Sequence, residues 1–142
     1  METVSQLLQA KGGSVLSVAP GASVFEALQL MAEKNVGALL VMEEGRLRGI
    51  MSERDYARKV ILFGKSSHEL AVCDIMSDRV VTVTPGQSVD DCMALMNGRR
   101  IRHLPVMDGE RVVGVLSIGD LVKAVIESQE QTIRQLEDYI HH

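Results

Sequence analysis

The amino-acid sequence repeats itself. Sliding it by 65 positions lays VLSVAPGASVFEALQLM, from Val15, over VVTVTPGQSVDDCMALM, from Val80, and the register runs without a gap to Val60-Ile61 over Val125-Ile126. Identical residues fill 17 of the 47 aligned positions, among them Pro20 and Pro85, Gly49 and Gly114, Ser52 and Ser117, and Asp55 and Asp120. A duplication at this period means one supersecondary unit used twice, each copy covering the other's apolar face. At 142 residues the chain has the length of one compact domain with a real core.

Within each copy, strand and helix signals alternate. Pro20-Gly21 and Pro85-Gly86 mark a turn after a short β-branched strand, and Ser23 with Glu26, or Ser88 with Asp91, has the spacing of a capping box that opens a helix. Val24, Ala27, Leu28 and Met31, with their counterparts Val89, Cys92, Met93 and Met96, form a core-facing stripe at helical spacing. Two strands follow, Ala38 to Met42 and Leu47 to Met51, turning at Glu44-Gly45 and in the second copy at Asp108-Gly109. A second helix is expected from Glu53 to about Leu62 and again from Ile118 to about Ser128. The repeating unit is βαββα, and the expected fold is α/β (α+β): two tandem pseudo-symmetric repeats packed sheet to sheet as one module. The expected boundaries are 4–62 and 77–128 for the repeats, 63–76 for the linker and 129–142 for a helical tail. Along that tail Ile126, Gln129, Ile133, Leu136 and Ile140 make an apolar edge too sparse for an internal core helix, so it either packs on a partner chain or is a solvated end.

Several function classes fall away. No apolar run approaches the roughly 18 residues of a membrane span. The start METVSQLLQAKGG lacks a basic region and an apolar run, so a cytoplasmic location is the default expectation. The net charge of −4 and only four aromatic residues, Phe25, Tyr56, Phe63 and Tyr139, argue against a nucleic-acid binder. Cys73 and Cys92 form no CxxC pair or disulfide framework, and His141 and His142 are given no role. There is no P-loop, no GxGxxG, no clustered metal set and no nucleophile triad, so enzymatic activity, and with it a catalytic cofactor, is not expected.

The informative segments are GIMSERD, Gly49 to Asp55, and GVLSIGD, Gly114 to Asp120. Each leaves a strand and enters a helix, where free backbone N–H groups and the helix dipole favour an anion. A Ser hydroxyl there can bond a phosphate, and an Asp one turn in can accept ribose hydroxyls. Ser followed three residues later by Asp is equally an ordinary helix start. The second cluster is GRRIRHLPV, Gly98 to Val106, with Arg99, Arg100, Arg102 and His103 before a strand. The first copy has Gly37-Ala38 where the second has Arg102-His103, so the fold itself does not require the pair. His103 fits either a ligand contact or a core position.

The duplicated PxxSVxxAxxLM…RHLPV…GVLSIGD pattern resembles the CBS-domain pair, or Bateman module, of stand-alone bacterial type. That family is named after cystathionine β-synthase and is found also in IMP dehydrogenases and in the regulatory subunit of AMP-activated protein kinase. The resemblance spans about Val4 to Ser128. It implies two clefts between the repeats that take an adenine nucleotide: AMP foremost, also ADP, ATP or NAD. Carried over by position, the Asp120 cleft would use Ser117 and Val115 with Ala19, Val36, Gly37 and Ala38. The Asp55 cleft would use Ile50, Ser52 and Arg54 with Thr84, Ile101, Arg102 and His103. Asp would hold ribose and Ser phosphate, with Arg54, Arg102 and His103 supplying phosphate charge. Ala19 stands where the second copy has the hydroxyl residue Thr84, a departure that touches adenine recognition. The resemblance further implies a regulatory, non-catalytic role, a homodimer and signalling to an unnamed effector protein. The competing expectation is a structural dimerisation module without a physiological nucleotide; a small nucleotide hydrolase or transferase is the remote third.

Overall fold

The computed structural model describes residues 2–60, 62 and 64–141. Ile61, the end of the first copy, Phe63, the start of the expected linker, and His142 lie outside the described residues, as does Met1. The elements in chain order are α1 (Val4–Lys11), β1 (Ser17–Val18), α2 (Val24–Lys34), β2 (Ala38–Glu43), β3 (Arg46–Ser52) and α3 (Glu53–Asp55). After α3 a π-helical turn spans Tyr56–Val60; then come α4 (Val72–Ile75), α5 (Val89–Arg99), β4 (His103–Asp108), β5 (Arg111–Ser117) and α6 (Ile118–His141). The described chain divides into two compact units. One holds Val15–Val81 with Gly109–Val112; the other holds the chain up to Ser14, Thr82–Asp108 and everything from Val113 onward.

In the unit built on the first repeat, β1 runs parallel to β2 and β2 antiparallel to β3. The β2–β3 turn places Glu44 and Gly45 at φ 52° and 77°, the double left-handed geometry that matches strand twist in a two-residue hairpin. Ser23 accepts from the Glu26 N–H to start α2, and Asn35 ends it in the left-handed region. Val24, Ala27 and Met31 then bury against Leu39, Val41 and Met51, as the helical stripe requires, while Leu28 packs at the margin. The segment before the second repeat closes this core. Val72 N–H donates to Ala22 O at 2.8 Å and Cys73 N–H to Pro20 O at 2.9 Å, which seats α4 and buries Val72 and Ile75.

The other unit repeats this plan, with the chain's first helix in the place of α4. Val4 N–H donates to Gln87 O and Ser5 N–H to Pro85 O, both at 2.9 Å, so α1 is docked on the turn that precedes α5. Ser88 forms the full capping box with Asp91, and Val89, Cys92 and Met96 are buried. Two departures from the expected unit have local causes. The first strand of the second copy shrinks to one bridge, Val83 to Val106. In the first copy Leu40 N–H donates to Leu16 O; the aligned donor is Pro105, which has no N–H, so the ladder stops there. The second hairpin turns at Gly109-Glu110, one residue later than expected, with Gly109 at φ 65°.

The helix after β3 also differs from its expected form, since past Asp55 it winds as a π turn rather than an α-helix. Its counterpart α6 runs without interruption for 24 residues, through the whole described tail. Leu121 and Ala124 are its buried residues, and every residue from Ile126 to His141 is exposed.

Candidate functional site

Residues 49–55 and 114–120 share the pattern GhxSxxD, with h apolar, and both segments sit at a strand end that becomes a helix start. Ser52 closes β3 and Ser117 closes β5, and each caps the helix that follows. Asp55 N–H donates to Ser52 Oγ at 3.1 Å while Asp55 Oδ2 accepts from Ser52 N–H at 2.9 Å and from Ser52 Oγ at 3.0 Å. Asp120 repeats the pattern, its N–H donating to Ser117 Oγ at 3.2 Å and its Oδ2 accepting from Ser117 N–H at 2.8 Å. The capping geometry of the ordinary helix start is therefore present in both copies.

The residue before each hairpin is drawn to this junction. Glu53 N–H donates to Gly37 O at 3.0 Å, and Ile118 N–H to Arg102 O at 2.8 Å. In the first-repeat unit this sets Val36, Gly37 and Ala38 beside Ser52 and Asp55, with Ala38 directly opposite Ser52 across the strand pair. In the other unit it sets Ile101, Arg102 and His103 beside Val115, Ser117 and Asp120, so each pre-hairpin segment meets the motif of its own repeat, whereas the resemblance assigns Val36, Gly37 and Ala38 to the Asp120 cleft and Ile101, Arg102 and His103 to the Asp55 cleft. Val36, Gly37, Ala38, Ile50, Ile101, His103 and Val115 are half-buried, as are both Ser–Asp pairs, while Ala19, Arg54, Thr84 and Arg102 are exposed. Ala19 is level with Met42, four residues beyond Ala38, because Val18 pairs with Val41; at the strand rise this is ~13 Å away along β2. Thr84 holds the equivalent place past Val83, where its N–H donates to Gln87 Oε1 at 2.9 Å.

Two lysines absent from the sequence reading complete the charge pattern. Lys11, at the end of α1, donates to Asp120 Oδ2 at 2.7 Å and to Val115 O at 2.7 Å. Lys59 lies 3.6 Å from Asp55 Oδ1 and donates to Ile75 O at 2.8 Å. The Lys59 pair had a signal in its i,i+4 spacing on one helix; Lys11 is 109 residues from Asp120, and nothing local announces it. Burial alone raises the Asp120 carboxyl, but the Lys11 ammonium and the Ser117 bonds outweigh it and hold the group below the usual carboxylate range. Burial, then Lys11 and Arg102, push the His103 imidazole below its ordinary value against the pull of Asp120, so at pH 7 it is neutral and does not supply the phosphate charge that the resemblance assigns to it.

The motif glycines have a packing cause. A Cβ on Gly114 would meet Leu8 Cδ2 at 2.6 Å, and one on Gly49 would meet both Met76 Sδ and Ser77 O at 2.7 Å. Among the described residues no group of three or more His, Cys, Asp or Glu side chains is placed to hold a metal, and no helix is long and apolar enough to cross a membrane.

The CBS domain pattern matches this chain twice, at residues 12–61 and 72–127. The chain belongs to the CBS-domain family. Among its relatives, the mitochondrial CBS domain-containing protein CBSX3 of Arabidopsis thaliana is 40% identical, over 97% of this chain and 71% of its own. A solved protein from Burkholderia ambifaria, named for signal transduction and CBS domains, is 50% identical with a TM-score of 0.87, covering 90% of this chain and 96% of its own. The CBS domain pair of protein MJ0100, solved with 5′-methylthioadenosine and S-adenosyl-L-methionine, is 25% identical with a TM-score of 0.80, covering 90% and 98%. The tandem α+β CBS module is thus shown by sequence and by fold.

Proposed function

We propose that this CBS pair is a non-catalytic regulatory module that binds adenine nucleotides at its GhxSxxD junctions and passes their occupancy to an effector protein. The observation that carries the reading is the Ser117–Asp120 junction. A half-buried carboxylate there is matched by Lys11, with Arg102 and a neutral His103 alongside, all within one unit. Such a set offers acceptors for ribose hydroxyls and cations for a phosphate. The adenosine compounds held by the similar MJ0100 pair favour the same ligand class. AMP is the foremost candidate, with ADP, ATP and NAD as variants that add charge or length. Ser52, Asp55 and Arg54, beside Gly37, form the second junction, and the module acts in the cytoplasm as a homodimer.

Calorimetric titration with AMP, ATP, S-adenosylmethionine and UMP tests this reading. Saturable binding of the adenine compounds with no response to UMP is the expected result. No binding by any of them at millimolar concentration would leave the alternative, a dimerisation module, for which the exposed apolar edge of α6 is the favouring observation.

A further inference from the structure

From Val122 to Ile140, α6 presents an apolar edge that no described part of the chain covers. Val122, Ile126, Ile133, Leu136, Tyr139 and Ile140 are 42, 49, 54, 58, 82 and 75% exposed. Val122, Ile126, Gln129, Ile133, Leu136 and Ile140 follow alternating steps of four and three, a heptad seam with Ile126, Ile133 and Ile140 at a positions and Val122, Gln129 and Leu136 at d. Helices with such a seam are stabilised by a second helix that fills it.

We infer that the seam is filled by the same helix of a second copy, running antiparallel, so that each tail lies on the other's α6 from Val122 to Ile140. Sequence complementarity selects this arrangement. Centred on Gln131, the antiparallel pair sets Val122 against the partner's Ile140, Ile126 against the partner's Leu136, and Gln129 against the partner's Ile133. On one flank Val125 meets the partner's Tyr139, beside a groove lined by Val89, Ala124, Val125, Ser128 and Gln129 with Glu2 and Asp90 at its edge. On the other flank Lys123 meets the partner's Glu137 at both ends, while at the centre Glu130 faces its own copy, with Arg134 one turn away. Neither Lys123 nor Glu137 has an ion-pair partner within the described chain. A parallel in-register pair brings no opposite charges together across the e and g positions within the helix. The antiparallel pair covers all six exposed apolar residues of the helix and gains two Lys–Glu contacts. This assignment rests on the homodimer of the proposed function but uses none of the junction residues, so nucleotide titration reads the binding proposal separately from the oligomer measurements.

The test uses the full chain in a Cys73→Ser background, because Cys73 is exposed whereas Cys92 is buried and closed to a thiol label. Spin labels at Gln131→Cys and, separately, His141→Cys should both report a second copy. The 141 pair should be clearly the more distant, since each residue 141 lies ten residues from the centre, placing the two labels ~30 Å apart along the axis at 1.5 Å per residue. Equal distances at the two positions would indicate a parallel pair and overturn the assignment. In light scattering, the wild type should have twice the 15.5 kDa chain mass, and Ile133→Glu with Leu136→Glu should return the mass to 15.5 kDa. Both positions are exposed, so the melting of the domain body should be retained. A monomeric wild type, or a variant that remains dimeric, would overturn it equally.

Discussion

Lys11 Nζ lies 2.7 Å from Asp120 Oδ2, joining the end of the chain's first helix to the start of its last. The carboxylate that a ribose would meet is thus already occupied by a cation of the same unit. A nucleoside that brings only hydroxyls separates this pair and leaves Lys11 uncompensated, whereas a phosphate supplies a new anion for it. Lys11→Met should therefore lower the AMP-to-adenosine affinity ratio by several-fold, as measured by calorimetry. Its effect on ligand-free stability should stay below about 1 kcal/mol, because both side chains are partly exposed and water screens the pair. An unchanged ratio would show that Lys11 does not meet the phosphate.

Arg102 is the other cation at this junction, exposed and without a counterpart in the first repeat. Arg102→Ala should weaken AMP more than adenosine and reduce the salt sensitivity of AMP binding. Titrations at low and high salt read both effects. Equal losses for the two ligands would remove Arg102 from the phosphate site.

His103 makes stability depend on pH with a definite sign. Its native pKa is held below the ordinary value of about 6.5, so between the two values the unfolded chain binds the proton more readily than the native one. Stability is then unaffected above about pH 6.5 and falls as pH drops below it. His103→Gln should show a smaller loss of melting temperature between pH 7.5 and 5.5 than the wild type. Parallel curves for the two proteins would contradict the burial of the imidazole.

The two motif glycines should differ in their tolerance. Gly114→Ala would press on the end of the Leu8 side chain, which can rotate, whereas Gly49→Ala would press on the Ser77 carbonyl as well as on Met76. Denaturant unfolding should show a loss of about 1–3 kcal/mol for Gly49→Ala and a smaller one for Gly114→Ala. Equal costs would mean that the flanking segments do not set the need for glycine.

The legible parts of this fold were those written in short-range patterns. The Ser23 and Ser88 caps, the helical stripes and the Glu44-Gly45 turn stand where local spacing puts them, because each is decided by contacts within a few residues. Pro105 also carried its message in the sequence, since a residue without an N–H cannot extend the ladder to Val81, although alternation alone gave no hint of it. What local pattern could not reveal was long-range exchange. α1 docks on the unit of the second repeat and α4 on that of the first, so Lys11 reaches Asp120 and Leu8 comes to lie over Gly114. The spacing of Ser117 and Asp120 likewise serves a cap and a ribose equally well, and the observed bonds show the cap.

The most direct test of nucleotide binding at the junctions is to measure melting with and without AMP for Asp120→Asn and Asp55→Asn. A cap loss costs ~1 kcal/mol whether ligand is present or not. A lost ligand contact instead reduces the stabilisation AMP adds, which is about 2.7 kcal/mol at 100 times the dissociation constant and several degrees of melting temperature in a domain of this size. Asn keeps the shape and most of the capping ability, so ligand-free melting should change little while the AMP-induced shift shrinks in at least one variant. If both variants keep the full AMP-induced shift and melt lower without ligand, the carboxylates are caps alone and the nucleotide site lies elsewhere.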